Sequence, residues 1–300
     1  MVSELKCQPE LKHPSWIKVR LNPGEDFQRV DNILKKWSLH TVCREAICPN
    51  ISECYRHRTV TLLILGDVCT RNCRFCGVKK GKPQISDSSE AERVAQAVKE
   101  LGLRYVVITS VTRDDLPDGG ATAFAQTIKA IKRNNPEIRV EVLIPDLRGS
   151  KDALEIIIHA SPDVLGHNLE TVPRLYSQVR PEANYERSLN LLKEAKKISS
   201  SLVTKSGLMV GLGESKDEVL IAMDDLRSVD CDILTIGQYL APTRFNYPVK
   251  RYYSLKEFDE FIFAGGKRGL KWIESGPLVR SSFHAYAQWQ KTQSNDLFGL

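Results

Sequence analysis

No apolar run in this 300-residue chain approaches the roughly 18 residues that a membrane helix requires. The first residues, MVSELKCQPELKH, hold no apolar stretch ahead of their polar ones, so no secretory leader is expected. Internal repeats and low-complexity tracts are also missing. The charge imbalance is small: 43 Lys and Arg against 37 Asp and Glu leave +6. Those charges are scattered, whereas a nucleic-acid binder concentrates them in a patch. A composition of 42% hydrophobic and 27% charged residues excludes disordered and collagen-like classes. The expectation is a soluble, cytoplasmic globular protein that engages neither membrane nor nucleic acid. The mild basic excess suits a solvated surface or the docking of an acidic protein.

What the chain does have is clustered cysteine. Eight cysteines stand at 7, 43, 48, 54, 69, 73, 76 and 231, and six of them fall between Cys43 and Cys76 in two groups of three. A disulfide framework belongs to small secreted domains; clustered cysteines inside cells are more often metal ligands.

From about residue 60 onward, strand and helix signals alternate. Residues 61–65 (TLLIL), 105–109 (YVVIT) and 140–144 (VEVLI) read as buried strands, and further strands are expected at 164–166, 208–210 and 233–236. Helices are expected at 89–101, with a Ser89–Glu92 capping box, and at 121–132, 152–159, 185–198, 216–228 and 257–268. About six strand–helix units with right-handed crossovers predict an α/β fold, a partial (β/α)6 TIM-like barrel with N- and C-terminal extensions; a doubly wound sheet is the alternative. The expected organisation is an N-terminal extension over 1–58 with a helix at 27–37, the barrel over 59–275, and a C-terminal segment over 276–300 that wraps the surface. In such folds the chemistry collects in loops after the strand C-termini. Those loops here read GDVCTRNCRFC, SVTRDD, PDLR, HNLE, GLGE and GQYLAPTR, so functional residue types converge on one mouth.

Cys69, Cys73 and Cys76 form C-x3-C-x2-C directly after a strand. Three thiolates can hold three irons of a [4Fe–4S] cube and leave the fourth open to a ligand; such clusters usually take four cysteines. Zinc is the competing reading, but no fourth Cys or His lies in the loop to close a tetrahedron. The motif resembles the radical S-adenosylmethionine superfamily, in which the open iron chelates S-adenosylmethionine and a 5′-deoxyadenosyl radical results. Cys43, Cys48 and Cys54 form C-x4-C-x5-C, a different spacing and again one ligand short.

Together these segments resemble one family, the lipoyl synthases. The resemblance runs through TVCREAICPNISEC (41–54), LGDVCTR (65–71), VVITSVTRDDLPDGGA (106–121), HNLET (167–171), GLMVGLGE (207–214), GQYLAPT (237–243) and RSSFHA (280–285). It implies two [4Fe–4S] clusters and S-adenosyl-L-methionine as cofactors, and a sulfurtransferase that inserts two sulfurs at C6 and C8 of protein-bound octanoyl-lysine. It implies that Cys69, Cys73 and Cys76 hold the radical-generating cluster. Cys43, Cys48 and Cys54, with Ser282 as the chosen one of Ser281 and Ser282, hold an auxiliary cluster that supplies the sulfur. The implied partners are octanoylated lipoyl domains of 2-oxoacid dehydrogenase E2 subunits or the glycine cleavage H protein, with ferredoxin or flavodoxin as electron donor. Ser110, Thr112, Asn168, Glu170 and Arg187 are the expected contacts of S-adenosylmethionine at the barrel mouth. His167 and His284 are expected to be structural, Cys231 a core residue and Cys7 incidental. Phe283, Arg44, Asn72, Arg74 and Asn246 depart from the family's usual residues without removing a cluster ligand.

Overall fold

Seven strands run parallel, and their order across the sheet is their order along the chain. The structure, a computed structural model, describes residues 12–18, 24–57, 59–85 and 87–293; Cys7 lies outside the described residues. The strands of this sheet are β1 His40–Thr41, β2 Thr61–Ile64, β3 Tyr105–Ser110, β4 Arg139–Leu143, β5 Val164–Gly166, β6 Val203–Val210, β7 Ile233–Gln238 and β8 Trp272–Gly276; Val68–Cys69 and Lys79–Lys80 pair separately. Only β1 is antiparallel, with His40 opposite Leu63. The order never reverses, so the doubly wound alternative, which needs a reversal at its switch point, does not apply. Among the described residues no pairing closes β8 onto β1, and the barrel is open.

The longer helices are α1 Glu25–Lys36, α2 Glu90–Leu101, α3 Ala121–Asn134, α4 Lys151–His159, α5 Tyr185–Ile198, α6 Lys216–Ser228, α7 Leu255–Lys267 and α8 Ala285–Gln293. Six of them, α2 to α7, each follow a strand, which gives the six expected units; β8 is a seventh parallel strand beyond them. Its sequence, WIESG, alternates polar residues with a single fully buried one, so it carries no continuous apolar signal.

The helix starts differ in one respect from expectation. Ser89 does not form a capping box: its hydroxyl bonds Asp87, and its own backbone is already helical. Glu90 takes the useful role instead, accepting the Leu65 backbone N–H at 2.8 Å and tying α2 to the end of β2. Reciprocal boxes form at Ser215–Glu218 and Ser254–Glu257.

Strand β6 begins five residues earlier than its apolar run suggests. Its first half holds Thr204, Lys205, Ser206 and Gly207, all buried. Lys205 pairs with Glu141 of β4 at 2.9 Å, and the Tyr105 hydroxyl donates to the same carboxylate at 2.5 Å. The polar residues are therefore satisfied within the barrel interior. Below them α8 covers the strand starts: Trp289 packs on Val164, Val203 and Ile233, and Tyr105 tilts against Tyr286 at 5.6 Å.

The N-terminal segment joins the same core. Val30, Ile33, Leu34 and Tyr55 are buried with Leu62 and Leu63 of β2, each such burial contributing about 1.5–3 kcal/mol. Strand β1 thus delivers the triplet of Cys43, Cys48 and Cys54 directly beside β2.

Candidate active site

Strand β2 ends on two left-handed residues, Leu65 (φ 68°) and Gly66 (φ 87°), and the chain turns sharply into the Cys69–Cys76 loop. That loop is held on several sides. Thr70 exchanges hydrogen bonds with the Thr112 carbonyl and the Asp114 amide after β3. Arg71 reaches Asp114 at 2.7 Å and the fully buried Asp146 at 2.6 Å. The Arg74 carbonyl accepts from the Tyr247 amide at 2.9 Å, and Asn246 Nδ2 donates to the Arg74 and Cys76 carbonyls. Asn246 thus clamps the end of the triplet. The Cys69 sulfur accepts backbone N–H groups from Arg71 at 3.5 Å and Thr112 at 3.4 Å.

Cys43 lies in the short helix Val42–Glu45, which Thr41 caps by accepting the Arg44 amide. Cys48 follows on a turn anchored by its amide to the Cys43 carbonyl, and Cys54 lies in the short helix Ile51–Arg56, its amide bonded to the Asn50 carbonyl. The C-terminal chain crosses this group. Asn50 Nδ2 donates to the Leu278 carbonyl at 2.6 Å, and Thr61 Oγ1 donates to Ser282 Oγ at 2.7 Å. Thr61 also acts on the Cys43 thiol, opposing the rise that burial causes, so Ser282 and Cys43 have one neighbour in common. Ser281 turns the other way and donates to Asn168 Oδ1 at 2.8 Å.

All six cysteines, with Ser281 and Ser282, line a single cavity of about 340 Å³ inside the open barrel. Burial pushes Cys43, Cys54 and Cys73 up to about 12 and Cys76 up to about 11; neighbouring cysteines of the same triplet add to the rise. Such thiols keep their protons at neutral pH until a cation displaces them, which is how metal ligation couples to deprotonation. Among the described residues no three His, Cys, Asp or Glu side chains converge as ligands of one metal ion would. Each triplet borders a space instead, as ligands to separate irons of a cube must. The donor set of soft thiols fits iron–sulfur clusters.

Two glycines make room for the C-terminal strap. A Cβ on Gly237 of β7 would stand 2.0 Å from the Val279 carbonyl oxygen, and one on Gly207 of β6 would stand 2.7 Å from Ser281 Oγ. Only bare backbone on these inner faces lets residues 279–282 pass through the barrel interior.

Of the expected S-adenosylmethionine contacts, Ser110, Thr112, Asn168 and Glu170 line the cavity. Ser110 Oγ is buried without a hydrogen-bond partner. Burial raises the Glu170 carboxyl, opposed first by the Arg180 charge and then by the Asn168 amide. Arg187 is not brought to the cavity; Asp146 holds it at 3.1 Å, because α5 starts one layer outside the strand ends. His167 donates or accepts only locally, to the Ile144 carbonyl at 2.8 Å and Ser188 at 2.9 Å, and burial pushes it down to about 4, so it is neutral. His284 stacks on Phe283. Cys231 is fully buried in the core.

Two guanidinium groups in the cavity were not anticipated, Arg180 and Arg280. Arg180 Nη1 donates to the Asn168 and Leu169 carbonyls while its Nε is buried without a partner. It comes from a helix end rather than a strand end, so the rule of strand C-termini does not find it. Arg280 stands next to the two serines in sequence, and that adjacency is the signal that could have found it.

A model of the Radical SAM superfamily matches residues 63–226, and one of the N-terminal domain of lipoyl synthase matches residues 2–48. A lipoyl synthase of Caldanaerobacter subterraneus is 54% identical over 92% of this chain and 96% of its own. One of Rubrobacter xylanophilus is 52% identical over 95% of this chain and 88% of its own. Among solved structures, SuiB of Streptococcus suis bound to S-adenosylmethionine superposes with TM-score 0.59 at 14% identity, covering 79% of this chain and 55% of that one. Methylornithine synthase superposes with TM-score 0.53 at 14% identity, covering 79% and 73%. At such identities these two speak for the fold alone.

Proposed function

The chain belongs to the lipoyl synthase family, and we propose that its two cysteine triplets divide that family's reaction between them. The enzyme is a sulfurtransferase that inserts two sulfur atoms at C6 and C8 of protein-bound octanoyl-lysine. When bound, S-adenosylmethionine on one [4Fe–4S] cluster supplies hydrogen-atom abstraction from unactivated carbons, and a second cluster supplies sulfur, neither of which side-chain acids and bases can do.

In this reading Cys69, Cys73 and Cys76 hold the radical-generating cluster and leave one iron free for S-adenosylmethionine. Ser110, Thr112, Asn168 and Glu170 receive the nucleotide and its amino-acid end; the unpartnered Ser110 hydroxyl is available for it. Cys43, Cys48, Cys54 and Ser282 hold the auxiliary cluster. A serine oxygen is a hard ligand where thiolate is preferred, which suits a cluster that must give up sulfur. Leu63, Leu143 and Met209 give the cavity apolar wall for an acyl chain. Its volume lies at the low end of the roughly 300–1,000 Å³ common to small-molecule sites.

The single observation that carries this reading is that both triplets face one cavity while Ser282 meets Thr61 beside Cys43. The substrate is a lipoyl domain carrying octanoyl-lysine. We assign it to 2-oxoacid dehydrogenase E2 subunits or the glycine cleavage H protein, with ferredoxin or flavodoxin as donor, in the cytoplasm. No helix among the described residues is long and apolar enough to cross a membrane. The net charge of +6 favours capture of an acidic carrier, so raised salt weakens capture.

The test is an anaerobic single turnover with reconstituted protein, S-adenosylmethionine, reductant and an octanoyl-lysine peptide. Mass spectrometry is expected to find a dithiolated peptide and about two deoxyadenosines per product, one for each abstracted hydrogen. Deoxyadenosine with an unchanged peptide would overturn the substrate assignment and keep the radical chemistry.

A further inference from the structure

Arg280 carries a charge that the protein leaves uncompensated. Its guanidinium lines the cavity and lies on the bare inner face of Gly237, with Nη1 3.0 Å from where a Cβ would stand. It donates one hydrogen bond, from Nη1 to the carbonyl of its neighbour Val279 at 2.6 Å. Among the described residues no carboxylate lies within ion-pair distance of it. The titratable groups that act on it are the Cys48 thiol and the Glu170 carboxyl.

The other basic groups of the cavity wall are accounted for. Lys80 stands at the rim and is exposed to solvent. Arg71 is paired outward with Asp114 and Asp146. Arg180 is the stronger of the two cations acting on Glu170, and Glu170 is the sole carboxylate among the described lining residues. One carboxylate therefore faces two guanidinium groups inside the cavity, and one positive charge remains. The segment that carries Arg280 crosses the Cys43, Cys48 and Cys54 group, with Asn50 on the Leu278 carbonyl and Thr61 on Ser282. A cation drawn partly out of water without an anion is costly, and proteins keep one where an anion arrives.

We propose that Arg280 is the fixed counter-charge of the iron–sulfur cluster held by Cys43, Cys48 and Cys54. The inference rests on the reading of that triplet as a cluster site. A fixed cation beside a cluster favours its reduced, more negative state, so it raises the reduction potential and resists loss of iron. Guanidinium is suited to the place because it stays charged under burial. The competing anion is the carboxylate of S-adenosylmethionine on the Glu170 side, and the experiment separates the two.

Arg280→Gln and Arg280→Lys are made in the full chain with Cys69, Cys73 and Cys76 replaced by Ala, so that only the second triplet loads. Iron and sulfide per chain, resistance to a chelator and the potential from a redox titration followed by electron paramagnetic resonance are measured after anaerobic reconstitution. Far-UV circular dichroism checks the fold. Arg280→Gln is expected to shift the potential to more negative values and to speed iron loss several-fold, while Arg280→Lys stays near its parent. An unchanged potential and unchanged iron loss in Arg280→Gln overturn the inference alone. So does an Arg280→Lys that falls as far as Arg280→Gln, since shape rather than charge would then be responsible. Equilibrium binding of S-adenosylmethionine to the chain with all six cysteines supplies the other arm. Weaker binding by Arg280→Gln with an unchanged potential moves the charge to the nucleotide and overturns the proposal. A parent that loads no cluster at the second triplet overturns the underlying reading, and the inference with it.

Discussion

Thr61 and Ser282 stand 221 residues apart in the chain and 2.7 Å apart in the fold, hydroxyl to hydroxyl. Ser281, its immediate neighbour, bonds Asn168 instead. The two serines are thus separable by mutation. Ser282→Ala is expected to abolish dithiolated product while deoxyadenosine still forms. Ser281→Ala is expected to keep product at a reduced rate, because it loses only the tie to Asn168. Product from Ser282→Ala at the parental rate would remove this serine from the ligand set.

The cysteines separate in the same way. Cys43→Ala is expected to leave deoxyadenosine formation intact and to end sulfur insertion. Cys73→Ala is expected to end both. Liquid chromatography with mass spectrometry on one quenched reaction reads both quantities; product from Cys43→Ala would refute the division of labour.

Gly237→Ala probes the path of the C-terminal strap. The backbone at 237 is not left-handed, so the added methyl is unfavourable only for lack of space, 2.0 Å from the Val279 oxygen. Overpacking of this kind costs about 1–3 kcal/mol. The expected result is a modest loss of thermal stability with selective loss of iron from the second triplet. Gly166→Ala on β5, whose nearest contact would be an ordinary 3.4 Å, is the control that keeps both sites. Equal iron loss from both variants would show that the strap does not depend on this space.

His167 makes stability depend on pH. Its folded value is pushed down to about 4 by burial, below the ordinary 6.5. The unfolded chain therefore binds the proton first, and stability is lost as pH falls from about 6.5 to about 4. The loss is on the order of 3 kcal/mol for a shift of this size. Asp146 acts lower down. Burial would raise it, but Arg71 outweighs burial and holds it at about 2, so its contribution is lost only as pH falls below the ordinary 3.8. Urea melts from pH 7 to pH 4 check the first window; His167→Gln should flatten it, and a wild-type curve already flat there would contradict the assignment.

The buried Lys205–Glu141 pair gives a further test. Lys205→Met leaves a buried carboxylate without its cation and is expected to cost about 3–5 kcal/mol. Adding Glu141→Leu should recover much of that in a double-mutant cycle. Additive losses would mean that the two groups do not act as a pair.

The readable and unreadable parts of this molecule divide along physical lines. Helices α5 and α6 have the bounds that their periodic apolar faces suggest, and strands β2 to β5 stand within one residue of their apolar runs at both ends. Strand β6 was half hidden because Thr204, Lys205 and Ser206 are polar yet buried, satisfied by partners that only the tertiary fold supplies. Strand β8 was hidden by its single buried position. In the site, the two triplets were legible because ligation demands a residue type at a spacing. Arg187 was misplaced and Arg180 missed for one reason: which long side chain reaches a cavity depends on the layer its helix starts from. The difference between Ser281 and Ser282 follows from a strap crossing two glycines, which adjacency in sequence does not encode.

The ligands proposed for the first triplet lie within eight consecutive residues, in a loop that β2 and β3 brace. Those for the second come from both ends of the chain and meet across β2. During synthesis the first loop leaves the ribosome complete, whereas the second cannot close until the strap behind β8 has emerged and threaded inside. The order in which metal can be installed is therefore written into the topology. A chain truncated before Ser282 is a half-finished enzyme, able to accept its first inorganic part and unable to enclose the other.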